Sequence, residues 1–342
     1  MTFKRQGLFA LLSPQLFLLL LSISWLLLLL SFSLFLLGGP IQAAEGPRRP
    51  ETFFRYDRQI PLSFSGAQAG KPTCIAIDST GRLFMTCSLT NEIRVFDTAG
   101  RLLLAFGRKS SHQDQTKGSL SEPSGIAIDK GDRIYVSDLA MDKILVYNPD
   151  GVFQSQFSIH QPKPEEKGRD ACAPFIACNP SDKQLYIPDA CNHLVGVYTQ
   201  GGKFKTSFGS QGLEDGQLSG PAHVAFDSKG NIYVVDAGNF RVQSFTPGFK
   251  FRFAFGKSGT KEGEFIRAYD IAIDDKDRIY VSDFILNSVQ VFNQKGEYLD
   301  SLRRTDNNSH TFSQPLGLAY ASNKIYVVNA ETRVVSVFDV SR

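Results

Sequence analysis

Twelve positions decide what chemistry this chain can do, because a motif that returns six times sets them at one end of its first two strands. Just before the core of the motif stand Cys74, Gly125, Phe175, His223, Asp270 and Gly317. At the end of the second strand stand Cys87, Asp138, Asp189, Asp236, Asp283 and Asn329. Converging carboxylates can hold a hard cation such as calcium, and imidazole with carboxylates can hold zinc. His223, Asp236, Asp270 and Asp283 are therefore the candidate ligand-binding residues. An aspartate that ends a strand before a short loop has a plainer role, which is to accept the backbone N–H groups of that loop. Asp138, Asp189, Asp236 and Asp283 all fit that role too. His112, His160, His193 and His310 fall in loops with no ligand spacing around them. The sequence has no nucleophile elbow, phosphate-binding glycine loop or CxxCH haem attachment, so no catalytic residue is assigned.

The five cysteines suggest two bridges and one spare thiol. Cys74 and Cys87 occupy both rim positions of one repeat, where the other repeats carry Gly, Phe, His, Asp or Asn. Cys172 precedes a first strand and Cys191 follows a second strand, again within one repeat. Disulfides at both pairs suit an exported protein. Cys178, inside a strand, is read as a small buried hydrophobe. A metal or redox thiol cluster is the alternative, although no tight CxxC spacing supports it.

Short strands must hold these residues. The motif P-x-x-I-A-I-D, a turn, then I-Y-V-x-D recurs with its alanine at Ala76, Ala127, Ala177, Ala225, Ala272 and Ala319. A second strand pair follows each copy, as in Arg241–Phe245 and Phe251–Gly256. Four short strands per unit, separated by Gly, Asp and Asn turns, is the pattern of a propeller blade. The expected fold is all-β: a six-bladed β-propeller over 56–342, with four antiparallel strands per blade. Its repeats span about 72–107, 123–158, 174–209, 221–256, 268–302 and 315–340, the last completed by 59–65. The sixth copy stops after its third strand, and Ile60–Ser65 (IPLSFS) resembles the fourth strand Phe204–Gly209 (FKTSFG). An N-terminal strand closing the last blade would remove two exposed sheet edges.

The N-terminus is a different material. Lys4 and Arg5 precede an uncharged apolar stretch from Leu16 to Leu37. As a helix it is long enough to cross a bilayer core of roughly 30 Å. Residues 1–44 are read as a signal peptide or a transmembrane signal anchor, and 45–55 as a linker. Either way the positive end stays inside and the propeller is expected outside the cytoplasm, anchored to the membrane or, if cleaved, secreted or periplasmic. The longest connections, Arg108–Glu122 and Ile159–Ala171, are solvated loops or partner contacts, and Asn307-Asn308-Ser309 matches a glycosylation sequon.

The copies resemble NHL repeats, most closely in the inter-blade linkers FGSQGLEDGQLSGP (Phe208–Pro221) and FGKSGTKEGEFIRA (Phe255–Ala268). The resemblance implies a propeller scaffold, but such propellers also occur as RNA-binding modules, lyases and lactonases. In the similar peptidyl-hydroxyglycine amidating lyases a histidine at the position of His223 binds zinc in several blades. Here only one of the six equivalent positions is histidine, which departs from that pattern.

Two functions follow. The first is a monomeric binding scaffold that holds a protein or peptide at its loop-rich rim and needs no cofactor. The second is a metal-dependent lyase or lactonase with calcium or zinc near His223, Asp236 and Asp270. Nucleic acid is excluded as a partner by charge. The chain carries +3, of which Lys4 and Arg5 supply two, leaving +1 for the rest. Phosphate contacts need clustered Lys and Arg.

Overall fold

The computed structural model describes residues 53–62, 70–108, 117–159, 172, 175–303 and 312–341. The apolar N-terminal stretch, its linker as far as residue 52, the sequon and much of the two longest connections lie outside the described residues, while 53–55 of the expected linker belong to the ring. No helix among the described residues is long and apolar enough to cross a membrane.

The repeat motif is a hydrogen-bond circuit. Asp78, Asp129, Asp227 and Asp274 each end a first strand and accept two backbone N–H groups of the turn that follows. The second carboxylate oxygen receives a side chain from the far end of the turn: Arg82 at 2.7 Å, Arg133 at 2.9 Å, Asn231 at 2.7 Å and Arg278 at 2.6 Å. The motif tyrosine adds its hydroxyl in three copies, from Tyr135, Tyr233 and Tyr280. A buried carboxylate satisfied this fully is compatible with the core, which explains why Asp, Tyr and Arg or Asn recur together.

Strand β1 (Arg55–Pro61) precedes the first repeat. Blade 1 holds β2 (Pro72–Ile77), β3 (Leu83–Cys87), β4 (Glu92–Phe96) and β5 (Leu102–Phe106). Blade 2 holds β6 (Pro123–Ile128), β7 (Ile134–Asp138), β8 (Lys143–Tyr147) and β9 (Phe153–Ser158). Blade 3 holds β10 (Ala177–Cys178), β11 (Gln184–Asp189), β12 (Leu194–Thr199) and β13 (Phe204–Phe208). Blade 4 holds β14 (Pro221–Phe226), β15 (Ile232–Asp236), β16 (Arg241–Phe245) and β17 (Phe251–Phe255). Blade 5 holds β18 (Ala268–Ile273), β19 (Ile279–Asp283), β20 (Ser288–Phe292) and β21 (Tyr298–Ser301). Blade 6 holds β22 (Pro315–Ala321), β23 (Lys324–Asn329) and β24 (Val334–Asp339), and β1 is its outermost strand. All six sheets are four-stranded meanders with antiparallel neighbours. The second strands β3, β7, β15 and β19 are buried at every residue, because neighbouring blades cover both of their faces.

Closure by an N-terminal strand is as expected, but its register differs. The pairing strand is Arg55–Pro61 rather than Ile60–Ser65. Ile60 faces Val335 as Phe208 faces Val195 and Phe255 faces Val242, so Ile60 takes the place of the outer-strand phenylalanine. Matching IPLSFS to FKTSFG by letter puts Phe64 there instead, four residues too late.

A second contact fixes the same equivalence. The turn before each outer strand puts a positive-φ glycine on the previous blade's outer strand: Gly151 on Phe106, Gly202 on Phe157 and Gly296 on Phe255. Gly100 meets Ile60 and Pro61 in the same way, which makes β1 the outer strand before blade 1. In blade 4 Phe249 stands at this left-handed position (φ 64°) and stacks on Phe208, with ring centroids 5.0 Å apart. The segment before β1 adds to the seal: Phe54 is buried against Phe338, and the Arg278 guanidinium lies 4.7 Å over the ring of Phe53.

Candidate functional site

First strands start, and second strands end, on one rim of the ring, where the inter-blade connections also run. The twelve positions picked from the sequence are on this rim. Its inner circle is filled by aromatic side chains. The ring of Phe175 lies 4.8 Å from that of His223 and 5.0 Å from that of Tyr269, and Tyr269 meets Phe284 at 5.7 Å. Cys74, Phe175, Ala222 and Tyr269 belong to one core cluster, so blades 1, 3, 4 and 5 meet at the axis. Burial, with the nearby Asp270 adding to it, pushes the Tyr269 hydroxyl well above its ordinary value. Glycine at 317 is required by closeness: a Cβ there would lie 3.0 Å from the Cys74 Cα and from backbone atoms of β2.

His223 and Asp270 are brought together. His223 Nδ1 lies against Asp270 Oδ1, with the histidine side chain 12% exposed and the carboxylate fully buried. Asp270 Oδ2 accepts the N–H of Leu318 at 2.8 Å and so ties blade 5 to blade 6, while Oδ1 accepts the N–H of Ile271. The Asp270 N–H donates to Ser282 Oγ, which in turn donates to the Leu316 carbonyl at 2.9 Å. Thr86 does the same between blades 1 and 2, accepting the Cys74 N–H and donating to the Ser124 carbonyl. These buried hydroxyls, one residue before the end of the second strand, were missed from the sequence. Their signal is the small polar residue in an otherwise apolar strand.

Asp236 and Asp283 lie elsewhere on the rim, engaged with their own connections. Asp283 accepts the N–H groups of Ile266 and Arg267 on one oxygen and of Ile285 and Leu286 on the other. Asp236 accepts the Ser219 N–H, the Asn239 and Gln243 amides and the Arg241 guanidinium. Asp138 and Asp189 likewise hold the N–H groups of Ser121, Glu122 and Met141, and of Cys172, Cys191 and Asn192. Asn329 accepts the Ser313 N–H with its amide oxygen. Blade 1 departs, with Cys87 at this position; opposite it at the start of β4, Glu92 accepts the Arg94 guanidinium in a buried pair. Among the described residues no group of three or more His, Cys, Asp or Glu side chains is placed to hold a metal ion.

Of the two expected bridges, one is present. Cys172 and Cys191 are bonded, with Cα atoms 5.2 Å apart, and pin the connection into blade 3. Cys74 and Cys87 are unbridged, which corrects the expectation for that pair. The cause is a bulge between Pro72 and Ile75. Residues opposite on a ladder share a face, and successive residues alternate. Pro72, not Cys74, is opposite Cys87. Cys74 packs with Phe84 toward blade 2, whereas Cys87 falls on the Leu83–Met85 side, so the two thiols point to opposite faces of the sheet. Both are buried: burial holds the Cys74 thiol far above its ordinary value and pushes that of Cys87 up to about 12.

The ring and its repeated rim define a six-bladed β-propeller. The NHL repeat model matches residues 218–245, the first three strands of blade 4 with the end of the connection before them. No curated protein sequence matches the chain. Among solved structures the fold is similar to virginiamycin B lyase from Staphylococcus aureus, with a TM-score of 0.56 at 14% identity over 81% of this chain and 82% of that one. A catalytically inactive variant of that lyase with quinupristin gives a TM-score of 0.58 at 13% identity, covering 84% and 99%. A streptogramin B lyase gives 0.56 at 14%, covering 83% and 97%. At these identities the likeness is one of fold.

Proposed function

We propose that this propeller is a non-enzymatic binding scaffold, exported and membrane-anchored through its N-terminal segment, that grips a protein or peptide partner on the rim carrying the inter-blade connections. One observation carries the reading: that rim is rigidly tied yet presents exposed apolar tips. Carboxylates, Asn329 and the Cys172–Cys191 bridge hold the connections. From the same rim Leu89, Leu213 and Ile285 project with 71%, 74% and 54% of their surface exposed. Preorganised apolar anchors ringed by polar groups favour a protein partner, because little ordering entropy is lost on binding. The test uses full-length protein in detergent as bait against membrane extract. A partner retained by the native chain and by an outer-strand control (Leu102→Asp with Leu299→Asp), but lost with Leu89→Asp, Leu213→Asp and Ile285→Asp, supports the scaffold. Retention unaffected by the rim substitutions overturns it.

One observation favours a second reading. His223 Nδ1 stands beside the buried Asp270 carboxylate, a pairing in which a histidine can serve as a general base. With lyases among the structural neighbours, consumption of quinupristin by the native chain but not by His223→Ala would favour an enzyme.

A further inference from the structure

On the opposite rim, between blades 2 and 3, is a cavity of about 350 Å³. We propose that it is a binding site for a small ligand bearing an oxyanion, a phosphate or carboxylate group, distinct from the partner-binding rim.

The cavity exists because this junction lacks a clasp that two others have. Between blades 1 and 2 the turn serine Ser79 donates its N–H and hydroxyl to the two oxygens of Asp132 in the next blade, at 2.9 and 2.5 Å. Between blades 4 and 5 Ser228 does the same to Asp277, at 2.7 and 2.8 Å. In blade 2 the serine's position is Lys130. Blade 3 inserts one residue into its turn, so that Lys183 takes a left-handed conformation (φ 57°). Asp182 turns back on its own blade, accepting the Gln184 N–H and the Tyr186 hydroxyl.

Two further departures from the repeat open the space and change its charge. Cys178 stands where the equivalent residues are Ile77, Ile128, Phe226 and Ile273, a smaller side chain at the cavity wall. Asn179 stands where blades 1, 2, 4 and 5 carry the turn aspartate, removing one negative charge. The lining is then Lys130, Arg133 and Lys183 against a single carboxylate, Asp129. That carboxylate is already occupied by Arg133, Tyr135 and Gln200. Gln200 also receives the Arg133 guanidinium at 2.6 Å and fixes its direction. Among the described residues the side-chain ammonium groups of Lys130 and Lys183 have no ion-pair or hydrogen-bond partner. A concave site with two unpaired ammonium groups, one held guanidinium and neutral amides suits an oxyanion. A neutral or cationic ligand would leave those charges unmatched.

The test is isothermal titration of full-length protein in detergent with inorganic phosphate and with citrate, at fixed ionic strength set by chloride. Saturable binding of either is expected and tells phosphate from carboxylate. Lys130→Ser, which restores the residue found in blades 1 and 4, should weaken it at least tenfold, at an exposed position outside the core. Cys178→Ile, which fills the wall as in blades 1, 2 and 5, should abolish it. No saturable binding of either anion, or equal binding by native protein and both variants, overturns the proposal.

Discussion

Asp236 and Arg241 face each other across the turn from β15 to β16, with Arg241 Nε 2.8 Å from Asp236 Oδ2 and the carboxylate wholly removed from solvent. The same oxygen takes the amides of Asn239 and Gln243, and the other takes the Ser219 N–H. Removing one partner of a buried pair leaves the rest uncompensated. Asp236→Ala should therefore cost about 3–5 kcal/mol, read as a lower urea midpoint at unchanged slope. A loss under about 1 kcal/mol would mean the carboxylate is not structural.

Deleting residues 53–61 should destabilise the propeller far more than a surface strand would. It exposes the β24 edge and uncovers the pockets of Phe54 and Ile60, which are 4% and 1% exposed. Each such side chain contributes about 1.5–3 kcal/mol by burial, before the lost ladder is counted. Thermal unfolding of the truncated chain checks this, and an unchanged midpoint would sink the closure.

Ellman titration should count at most one reactive thiol in the native protein at pH 8, the half-buried Cys178, three after denaturation without reductant, and five after reduction. The three are Cys74, Cys87 and Cys178. Cys172→Ser with Cys191→Ser should cost about 3 kcal/mol, the loop-closure value for a bridge of this span.

Acid should loosen the rim opposite the partner-binding face first. Burial raises the Asp78 carboxyl, but hydrogen bonds from the Arg82 side chain and backbone and from Thr80 more than reverse this, holding it below its ordinary 3.8. A carboxyl depressed on folding stabilises above its unfolded pKa, and the gain is lost as pH falls through the folded value. Stability should fall below about pH 4, and Arg82→Gln should flatten that fall. An identical acid limb in the variant would refute the pairing.

Gly202→Ala should cost about 1–3 kcal/mol. Its φ is +83° and the new Cβ would lie 2.3 Å from Phe157 Cγ. Gly81→Ala, with φ +86° and nothing within 4 Å, isolates the backbone part of that cost. Equal midpoint shifts in the two variants would show that the inter-blade contact adds nothing.

The ring was legible because Ile-Ala-Ile-Asp and Ile-Tyr-Val-x-Asp each encode a buried strand and its turn. The existence of closure was legible too, but not its register, since Ile60 does the work of a phenylalanine and Phe64 mimics one in letters only. The rim aspartates end their second strands as expected, yet some of their partners are backbone groups of the preceding connections, such as Ser219 on Asp236 and Ile266 on Asp283, which no side-chain pattern announces. Cys74 and Cys87 share a rim but not a face, and a single bulged residue separates the two cases. The cavity between blades 2 and 3 is visible only as departures from the repeat at Lys130, Cys178 and Asn179, which mean little until blades 2 and 3 are set side by side.

The pairing of Arg55 with Asp339 also has a consequence in time. β1 is made first and meets its partner last, 284 residues later (339 − 55). At roughly 5–20 residues per second that is a wait of about 14–57 s. Throughout synthesis the oldest strand of the ring stays a free edge, and a chain cut short before Val334–Asp339 can never retire it. The ring's final strand thus completes the sheet that its first strand began, and a ring without it keeps an unpaired edge.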